Sequence, residues 1–200
     1  MTSLQPTTPG SELILGGQKS GKSRRAETLA SGWLASAPQR RAVLIATALP
    51  YDDEMRQRIS RHQSDRAERV PGLHTVEEPL DLAGALKQHS QPHTLVVIDC
   101  LTLWLTNWRM PMRSEVELLD PEAQRSVAPA PELALVEAIR SAPGPVVLVS
   151  NEISLGVIPM GSEVRAFLDA LGLLHQQVGA VCERVTLMVA GLPLAVKGAP

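Results

Sequence analysis

The sequence predicts a three-layer α/β fold in which a mostly parallel sheet carries helices on both faces. Two observations lead to this prediction. Short runs that are apolar throughout alternate with segments of helical periodicity, as expected when parallel strands are buried between helices. The chain has 200 residues, of which 44% are hydrophobic and 20% charged, which suits one globular domain. Right-handed crossovers then place the loops that follow the strands at one edge, where ligands bind.

The first half of the chain begins with a polar segment, 1–11, which is rich in Thr and Pro and is predicted to be a flexible tail before a single domain at 12–200. Three apolar runs, 13–15, 42–46 and 94–99, are predicted strands. A helix at 22–34 has four apolar residues on one face, namely Ala26, Leu29, Ala30 and Trp33. Asp52 or Asp53 is predicted to cap a second helix that extends to Arg69, and a shorter helix covers 80–88.

The second half begins with a segment, 109–131, that contains four prolines and several charges. We interpret it as a surface excursion with one helical turn near 115–119. A helix at 131–140, a strand at 145–150 and a helix at 161–181 follow. The apolar face of the last helix is predicted to consist of Val164, Leu168, Leu171 and Leu174. Two terminal strands, 184–190 and 193–197, flank Gly191.

The strongest functional signal is the run Gly16-Gly17-Gln18-Lys19-Ser20-Gly21-Lys22-Ser23. It matches the phosphate-binding loop pattern G-x-x-x-x-G-K-[ST], and it lies between a predicted strand and a predicted helix, as that pattern requires. The glycines permit backbone geometry that a Cβ would block, and the loop N–H groups converge on phosphate oxygens. Lys22 supplies a catalytic charge to the β and γ phosphates. The sequence therefore predicts that the loop binds GTP or ATP.

A metal site is predicted beside this loop. Asp99 ends the strand 94–99, where the acid of a P-loop enzyme reaches the magnesium shell, and the Ser23 hydroxyl is the expected second ligand of Mg²⁺. The alternative is that Asp99 only caps the next segment.

His62 is the candidate nucleophile. It shares a predicted helical face with Met55 and Ile59, and three arginines, Arg58, Arg61 and Arg66, lie around it. A neutral imidazole attacks phosphorus well near pH 7, and arginines neutralise the charge that develops on the oxygens. The alternative is a structural or solvated histidine. The other histidines are weaker candidates: His74 in a loop, His89 and His93 as exposed residues, and His175 on the last helix facing a cleft.

Composition excludes several partner classes. The net charge is -2 and the aromatic residues are three Trp, one Tyr and one Phe, so a base-stacking nucleic-acid surface is not expected. No apolar run is long enough for a membrane span, and the first residues lack the regions of a signal peptide. We therefore expect a cytoplasmic protein. Cys100 and Cys182 are expected to be reduced and buried.

Several blocks of sequence occur in the order and with the residues of one known family. They are GGQKSGKS with Arg24–Glu27, Ile45–Ala48, Asp53-Glu54-Met55 with Arg58, Ile59 and His62, Thr75–Glu77, Asp99–Asn107, Val149–Glu152, Gly156–Pro159, Arg165, Phe167 and Asp169 with Gly172, and Ala190–Pro193. In these blocks the chain resembles the bifunctional adenosylcobinamide kinase / adenosylcobinamide-phosphate guanylyltransferases of cobalamin biosynthesis. Only the segment 109–131 lacks a family pattern.

The resemblance implies two reactions: phosphorylation of the aminopropanol hydroxyl of adenosylcobinamide, and transfer of GMP from GTP to the product through a guanylylated histidine, here His62. It also implies a RecA-like topology and a trimer whose subunits build the active site together. The nucleotide-binding positions implied outside the loop are Ala46, Thr47, Ala48, Gln63, Ser64, Asp65, Arg66, Glu77 and Asp99.

The chain departs from the family pattern in one C-terminal region, at Ile153, Ser154, Met160, Gly161, Leu173 and His175. The usual residue at position 175 is Asn. Two other functions stay open on the residues alone. One is a P-loop small-molecule kinase without nucleotidyl transfer, in which His62 is structural. The other is a RecA-like switch that binds nucleic acid or a partner protein.

Overall fold

The protein is built on one seven-stranded sheet, as seen in a computed structural model that describes residues 10–110 and 130–198. In chain order the strands are β1 (Ser11–Gly16), β2 (Arg41–Ala46), β3 (Leu73–Glu77), β4 (Thr94–Asp99), β5 (Val146–Val149), β6 (Arg184–Val189) and β7 (Leu192–Lys197). The helices are α1 (Lys22–Ala35), α2 (Asp53–Arg69), α3 (Leu82–His89), α4 (Leu101–Arg109), α5 (Pro131–Arg140) and α6 (Ser162–Val181). Residues 1–9 of the predicted tail and 111–129 of the predicted excursion lie outside the described residues.

The strand order is β3-β2-β4-β5-β1-β6-β7, and every pair is parallel except the antiparallel pair β6–β7. One strand, β5, therefore separates the strand before the phosphate loop from the strand that ends in Asp99, as in RecA-like proteins. The predicted three-layer α/β fold with a mostly parallel sheet is confirmed.

Each face of the sheet has its own hydrophobic cluster. On one face α1 contributes its predicted apolar side, and Ala26, Leu29, Ala30 and Trp33 are all buried there. The opposite face is covered by α3, α4, α5 and α6, and its cluster includes Trp104, Leu135 and Leu171. The central strands are buried on both faces because helices cover them on both, which explains why they are apolar throughout.

Two elements were not predicted. β3 was missed, and His74 lies in this strand rather than in a loop. The reason is that β3 is a partly exposed edge strand, so it lacks the continuous apolar run of a central strand. α4 was also missed, because its mixture of Leu, Trp, Thr and Asn has no charged face to reveal a helical period.

The apolar face predicted for α6 was partly wrong. Val164 is 43% exposed, and the buried residues of α6 are Phe167, Leu171, Leu174, His175 and Val178. The packing face is thus rotated, and it includes a histidine that the periodicity argument left out.

Polar contacts fix the ends of two helices. The Asp52 side chain caps α2 by accepting a hydrogen bond from the Met55 N–H at 2.7 Å. At the other end of the molecule, the Lys197 ammonium donates to the carbonyls of Gly179, Ala180 and Cys182 at 2.9, 3.0 and 2.6 Å. A cation at a helix C-terminus satisfies carbonyls that have no intrahelical partner, and here it also ties β7 to α6.

Cys100 and Cys182 are both free and buried, as predicted. Burial raises the pKa of each thiol to about 12, so neither is a reactive thiolate at neutral pH. Among the helices within 10–110 and 130–198, none combines the length and the apolar character of a membrane span.

The packing predicts a large difference between two leucine truncations. Leu148 of β5 has no exposed surface, whereas Leu133 of α5 is 55% exposed. We expect Leu148→Ala to lower the free energy of unfolding by about 2–5 kcal/mol and Leu133→Ala to change it by less than about 0.5 kcal/mol. Chemical denaturation measures both values. A cost below about 1 kcal/mol for Leu148→Ala would contradict its central position.

Candidate active site

The loop between β1 and α1 has the backbone geometry of a phosphate cradle. Gly21, which precedes α1, has φ of 100°, a conformation that favours glycine. A Cβ at Gly16 would lie 2.5 Å from Ser20 Oγ and 2.6 Å from the Met188 carbonyl oxygen. Both glycines of the pattern are therefore required by the shape of the loop, which directs the first N–H groups of α1 toward a bound anion.

Lys22 is buried at the start of α1, and its ammonium donates to the Gly17 carbonyl at 2.7 Å. Burial lowers the pKa of Lys22, and the nearby Cys100 and Asp99 oppose this shift. The ammonium is thus held by the loop itself and lies within electrostatic range of Asp99, which is the placement that a phosphate-binding lysine needs.

Asp99 is half-buried at the end of β4, and Ser23 is half-buried in the first turn of α1. Within the described residues no group of three His, Cys, Asp or Glu side chains is placed to hold a metal. A magnesium site of the P-loop type needs no such group, because Mg²⁺ in these sites is bound by one or two protein oxygens together with phosphate oxygens and water. Ser23 and Asp99 fit that donor set.

Thr47 connects the carboxyl ends of β2 and β4 through hydrogen bonds. It is fully buried, and its hydroxyl donates to the Cys100 carbonyl at 2.7 Å and accepts from the Cys100 N–H at 2.9 Å. Its own N–H donates to the Asp99 carbonyl at 3.2 Å. In this conformation Thr47 therefore fixes the position of Asp99 and Cys100 rather than presenting its hydroxyl to a ligand.

Asn107, on α4, is a positioning residue that sequence reasoning missed. Its side-chain amide donates to the carbonyls of Thr47 and Pro79 at 2.9 and 3.0 Å, and its carbonyl oxygen accepts from the Tyr51 hydroxyl at 2.6 Å. One buried side chain thus joins the loops that follow β2 and β3. The signal available in the sequence was an Asn among apolar residues, since a buried amide requires partners for all its polar atoms.

A small open cleft lies between α2 and the ends of β2 and β3. It is lined by Ala48, Pro50, Arg56, Ile59, Ser60, Gln63 and Glu77. Ala48, Gln63 and Glu77 were predicted nucleotide-binding positions, and the structure brings them together at this cleft. Arg56 was missed, although its spacing of seven residues from Gln63 places both on one helical face. Ala46, which ends β2, is half-buried beside them.

Gln63 and Glu77 are in direct contact, with the Gln63 amide donating to the Glu77 carboxylate at 3.0 Å. The next three predicted residues along α2, namely Ser64, Asp65 and Arg66, have different surroundings, because successive side chains of a helix point in different directions. Ser64 is exposed, and Asp65 pairs with Arg69 at 2.8 Å. Arg66 is buried, with its Nη1 3.5 Å from the Thr75 hydroxyl and its Nε without a partner among the described residues.

The helix predicted to carry His62 is confirmed as α2. In sequence, His62 lies between Ser60 and Gln63, which both line the cleft. The side chains of His62 and Arg58 lie outside the described part of the chain. Of the other two arginines, Arg61 is exposed and Arg66 is buried. The role of His62 therefore stays a prediction at this point.

The remaining histidines differ in their surroundings. His93 is exposed as predicted, while His89 is half-buried. His175 does not face an open cleft: it is 9% exposed and its Nε2 lies 2.7 Å from Ser150 Oγ.

Comparison with known proteins adds to this geometry. The family model described as "Cobinamide kinase / cobinamide phosphate guanyltransferase" matches residues 12–196. The bifunctional adenosylcobalamin biosynthesis protein CobP of Pseudomonas aeruginosa is 44% identical over 191 residues, which cover 94% of this chain and 98% of that protein. The bifunctional adenosylcobalamin biosynthesis protein CobU of Escherichia coli is 32% identical and covers 92% of this chain and 98% of its own.

Among solved structures, the flagellar accessory protein FlaH of Methanocaldococcus jannaschii aligns with 96% of this chain and 80% of its own, with 12% identity and a TM-score of 0.49. That likeness is too distant to carry a conclusion. The matches to the family model and to the two bifunctional proteins span nearly the whole chain, including the phosphate loop, Asp99 and α2, and the chain therefore belongs to the cobinamide kinase / cobinamide phosphate guanyltransferase family.

Proposed function

We propose that this protein phosphorylates the aminopropanol hydroxyl of adenosylcobinamide and then transfers GMP from GTP to the phosphorylated product, giving adenosylcobinamide-GDP. The observation that carries the proposal is a complete phosphate loop, with Lys22 held by the Gly17 carbonyl and within electrostatic range of Asp99, in a chain that is 44% identical to a bifunctional relative over almost its full length. ATP and GTP are the nucleotide substrates.

In the kinase reaction the loop Gly16–Ser23 holds the triphosphate. Its N–H groups and the positive end of α1 attract the phosphate oxygens, and Lys22 moves from the Gly17 carbonyl to the β and γ phosphates. The substrate hydroxyl attacks the γ-phosphorus, the bond to the β–γ bridging oxygen breaks, and the nucleoside diphosphate leaves. Lys22 lowers the barrier because it neutralises charge that grows on these oxygens.

Ser23 and Asp99 would hold a Mg²⁺ ion, which would neutralise part of the charge of the phosphate groups. Thr47 contributes indirectly, since its three hydrogen bonds to Asp99 and Cys100 fix the end of β4 from which Asp99 projects.

In the guanylyl-transfer reaction we assign the nucleophile to His62. A ring nitrogen attacks the α-phosphorus of GTP, a P–N bond forms, and pyrophosphate leaves. An oxygen of the cobinamide phosphate then attacks the same phosphorus and breaks the P–N bond. Two features support this assignment: α2 borders the cleft at the carboxyl edge, and the cleft contains Gln63 and Glu77, whose polar side chains can bind the nucleotide.

We also propose that the protein acts as a trimer. Support comes from the loop after β5, where Leu155, Val157, Ile158 and Met160 are 80%, 96%, 77% and 94% exposed. A run of exposed apolar side chains of this kind is typical of a surface that a partner covers.

Replacement of the loop lysine tests the phosphate site. We expect Lys22→Ala to weaken the binding of ATP and GTP by about 10- to 100-fold, because charge-assisted hydrogen bonds to phosphate are lost. Isothermal titration calorimetry with magnesium present measures the affinity. Lys87→Ala, which changes an exposed lysine on α3, is the matched control. Unchanged binding by a folded Lys22→Ala protein would remove the basis of the proposal.

Replacement of His62 separates the two reactions. We expect His62→Ala to abolish label transfer from α-labelled GTP to the protein while phosphorylation of adenosylcobinamide continues, because only guanylyl transfer needs the nucleophile. The label on the unchanged protein should be acid-labile and base-stable, as a phosphoramidate is. His93→Ala, which changes an exposed histidine, should behave like the unchanged protein. Loss of both reactions with the fold intact would count against a covalent role, and a kinase without any label would support the simpler enzyme.

A further inference from the structure

A buried polar chain lies directly behind the phosphate loop, at the end of β5. The Asn151 N–H donates to Thr102 Oγ1 at 2.8 Å, Thr102 Oγ1 and Ser150 Oγ are 3.1 Å apart, and Ser150 Oγ is 2.7 Å from His175 Nε2. On the other side of the ring, His175 Nδ1 is 3.7 Å from Glu152 Oε2. Three elements, α4, the loop after β5 and α6, thus converge on this chain.

The hydrogen bonds of this buried polar chain can all run in the same donor-to-acceptor direction, from Thr102 toward Glu152. If the Thr102 hydroxyl donates to Ser150, the Ser150 hydroxyl donates to Nε2 of a neutral His175, whose Nδ1–H then points toward the Glu152 carboxylate. Burial lowers the pKa of His175 from its usual 6.5, although Glu152 opposes that shift, so the ring is neutral at pH 7. The histidine can therefore orient Glu152 without neutralising it.

Glu152 is an unusual group for this location. Its side chain is 15% exposed, and its described partners are the N–H and hydroxyl of Ser154 and the ring of His175. Burial opposes ionisation, but the hydrogen bonds from Ser154 and the nearby His175 ring hold the pKa of Glu152 below its usual value. No Lys or Arg of the described residues forms an ion pair with it. Glu152 is therefore a deprotonated carboxylate whose described partners are all neutral, so it is able to accept a proton at neutral pH.

The position of Glu152 indicates which reaction it serves. Its N–H donates to the Gly16 carbonyl at 3.0 Å, so it is attached to the first residue of the phosphate loop. It follows β5, which lies between the strand of that loop and the strand of Asp99. The order Ser150, His175, Glu152 resembles the triad of a hydrolase, but Ser150 has no exposed surface and cannot meet a substrate.

We propose that Glu152 accepts the proton of the substrate hydroxyl during phosphoryl transfer, and that His175, which is itself anchored by Ser150 and Thr102, is the positioning residue that faces it. This rests on the proposed kinase reaction. As the hydroxyl oxygen forms its bond to the γ-phosphorus, its proton moves to a Glu152 oxygen, and the bond to the β–γ bridging oxygen breaks. The proton returns to solvent when the product leaves.

Glu152→Gln is the direct test, because it keeps the size of the side chain and removes the base. We expect kcat for phosphorylation of adenosylcobinamide to fall about 10²- to 10⁴-fold. Calorimetric affinity for ATP and the guanylylation of the protein by α-labelled GTP should both stay within about threefold. Glu163→Gln, which changes an exposed carboxylate on α6, is the matched control.

Three results would overturn the role of Glu152. One is a kcat within threefold of the unchanged protein. Another is an equal loss of nucleotide binding and of both reactions, which would mean that Glu152 is structural. The third is full recovery of the rate at high magnesium concentration, which would make Glu152 a metal ligand. If the unchanged protein does not phosphorylate adenosylcobinamide at all, the kinase proposal fails instead, so the two failures are distinguishable.

The role of His175 is tested by His175→Asn, which introduces the residue usual in the family at this position. The groups that face the ring are Glu152 and Ser150 from the loop after β5, with Thr102 of α4 beyond Ser150, and of these only Glu152 is charged. In the unchanged protein we expect kcat of the kinase to fall on the acid side, at a pH under the usual histidine pKa of 6.5, because burial lowers the pKa of the folded ring and a protonated ring can no longer accept from Ser150. In His175→Asn this acid limb should be lost or shifted by at least half a pH unit.

A second readout checks whether the ring is held neutral by the fold. Because the pKa of His175 is lowered on folding, the unfolded chain binds its proton at a higher pH than the native protein does. Stability of the unchanged protein should therefore fall relative to His175→Asn as the pH drops through 6.5, in urea denaturation curves recorded between pH 8 and 5. Superimposable pH profiles of both rate and stability for the two proteins would overturn the assignment of His175.

Discussion

The parallel pairing of β5 with the strands on either side of it determines where the functional groups of this protein lie. Val149, the last residue of β5, is paired with Ile14 of β1 and with Asp99 of β4. Neighbouring strands are about 4.8 Å apart, so Asp99 is about 10 Å from the strand that leads into the phosphate loop. That gap is filled by the residues after Val149, which places Ser150 and Glu152 between the loop and Asp99.

Polar side chains connect the loops at this edge of the sheet. Thr47 forms hydrogen bonds with the Asp99 carbonyl and with the carbonyl and N–H of Cys100, and Asn107 joins the loops after β2 and β3. Both residues are buried and their polar atoms are satisfied. The cleft beside α2 therefore has fixed walls on the sheet side, and the helix that carries His62 begins from a loop that Asn107 anchors through Tyr51.

The charged side chains at this edge of the sheet are explained by the nucleotide that we propose binds there. Lys22 is held by a carbonyl of its own loop, Asp99 lies near it, and Glu152 is ionised with neutral partners. In the proposed reaction the phosphates would pair with Lys22, and Asp99 would help to hold Mg²⁺. Glu152 follows β5 and Asp99 ends the neighbouring strand β4, so our proposal gives one carboxylate to the metal and the other to the proton of the second substrate.

The sequence by itself determined most of the architecture and the phosphate loop. The bounds predicted for β4 and α5 agree with the structure, and Asp52 caps α2 as expected, because apolar runs, helical periods and caps are local properties. The half-exposed strand β3 and the helix α4, whose single charged residue is the terminal Arg109, were not predicted, because they depend on partners distant in the chain. Only the tertiary structure brought Gln63 to Glu77 and placed His175 against Ser150 and Glu152, since residues far apart in sequence meet only when strand order and helix rotation are fixed.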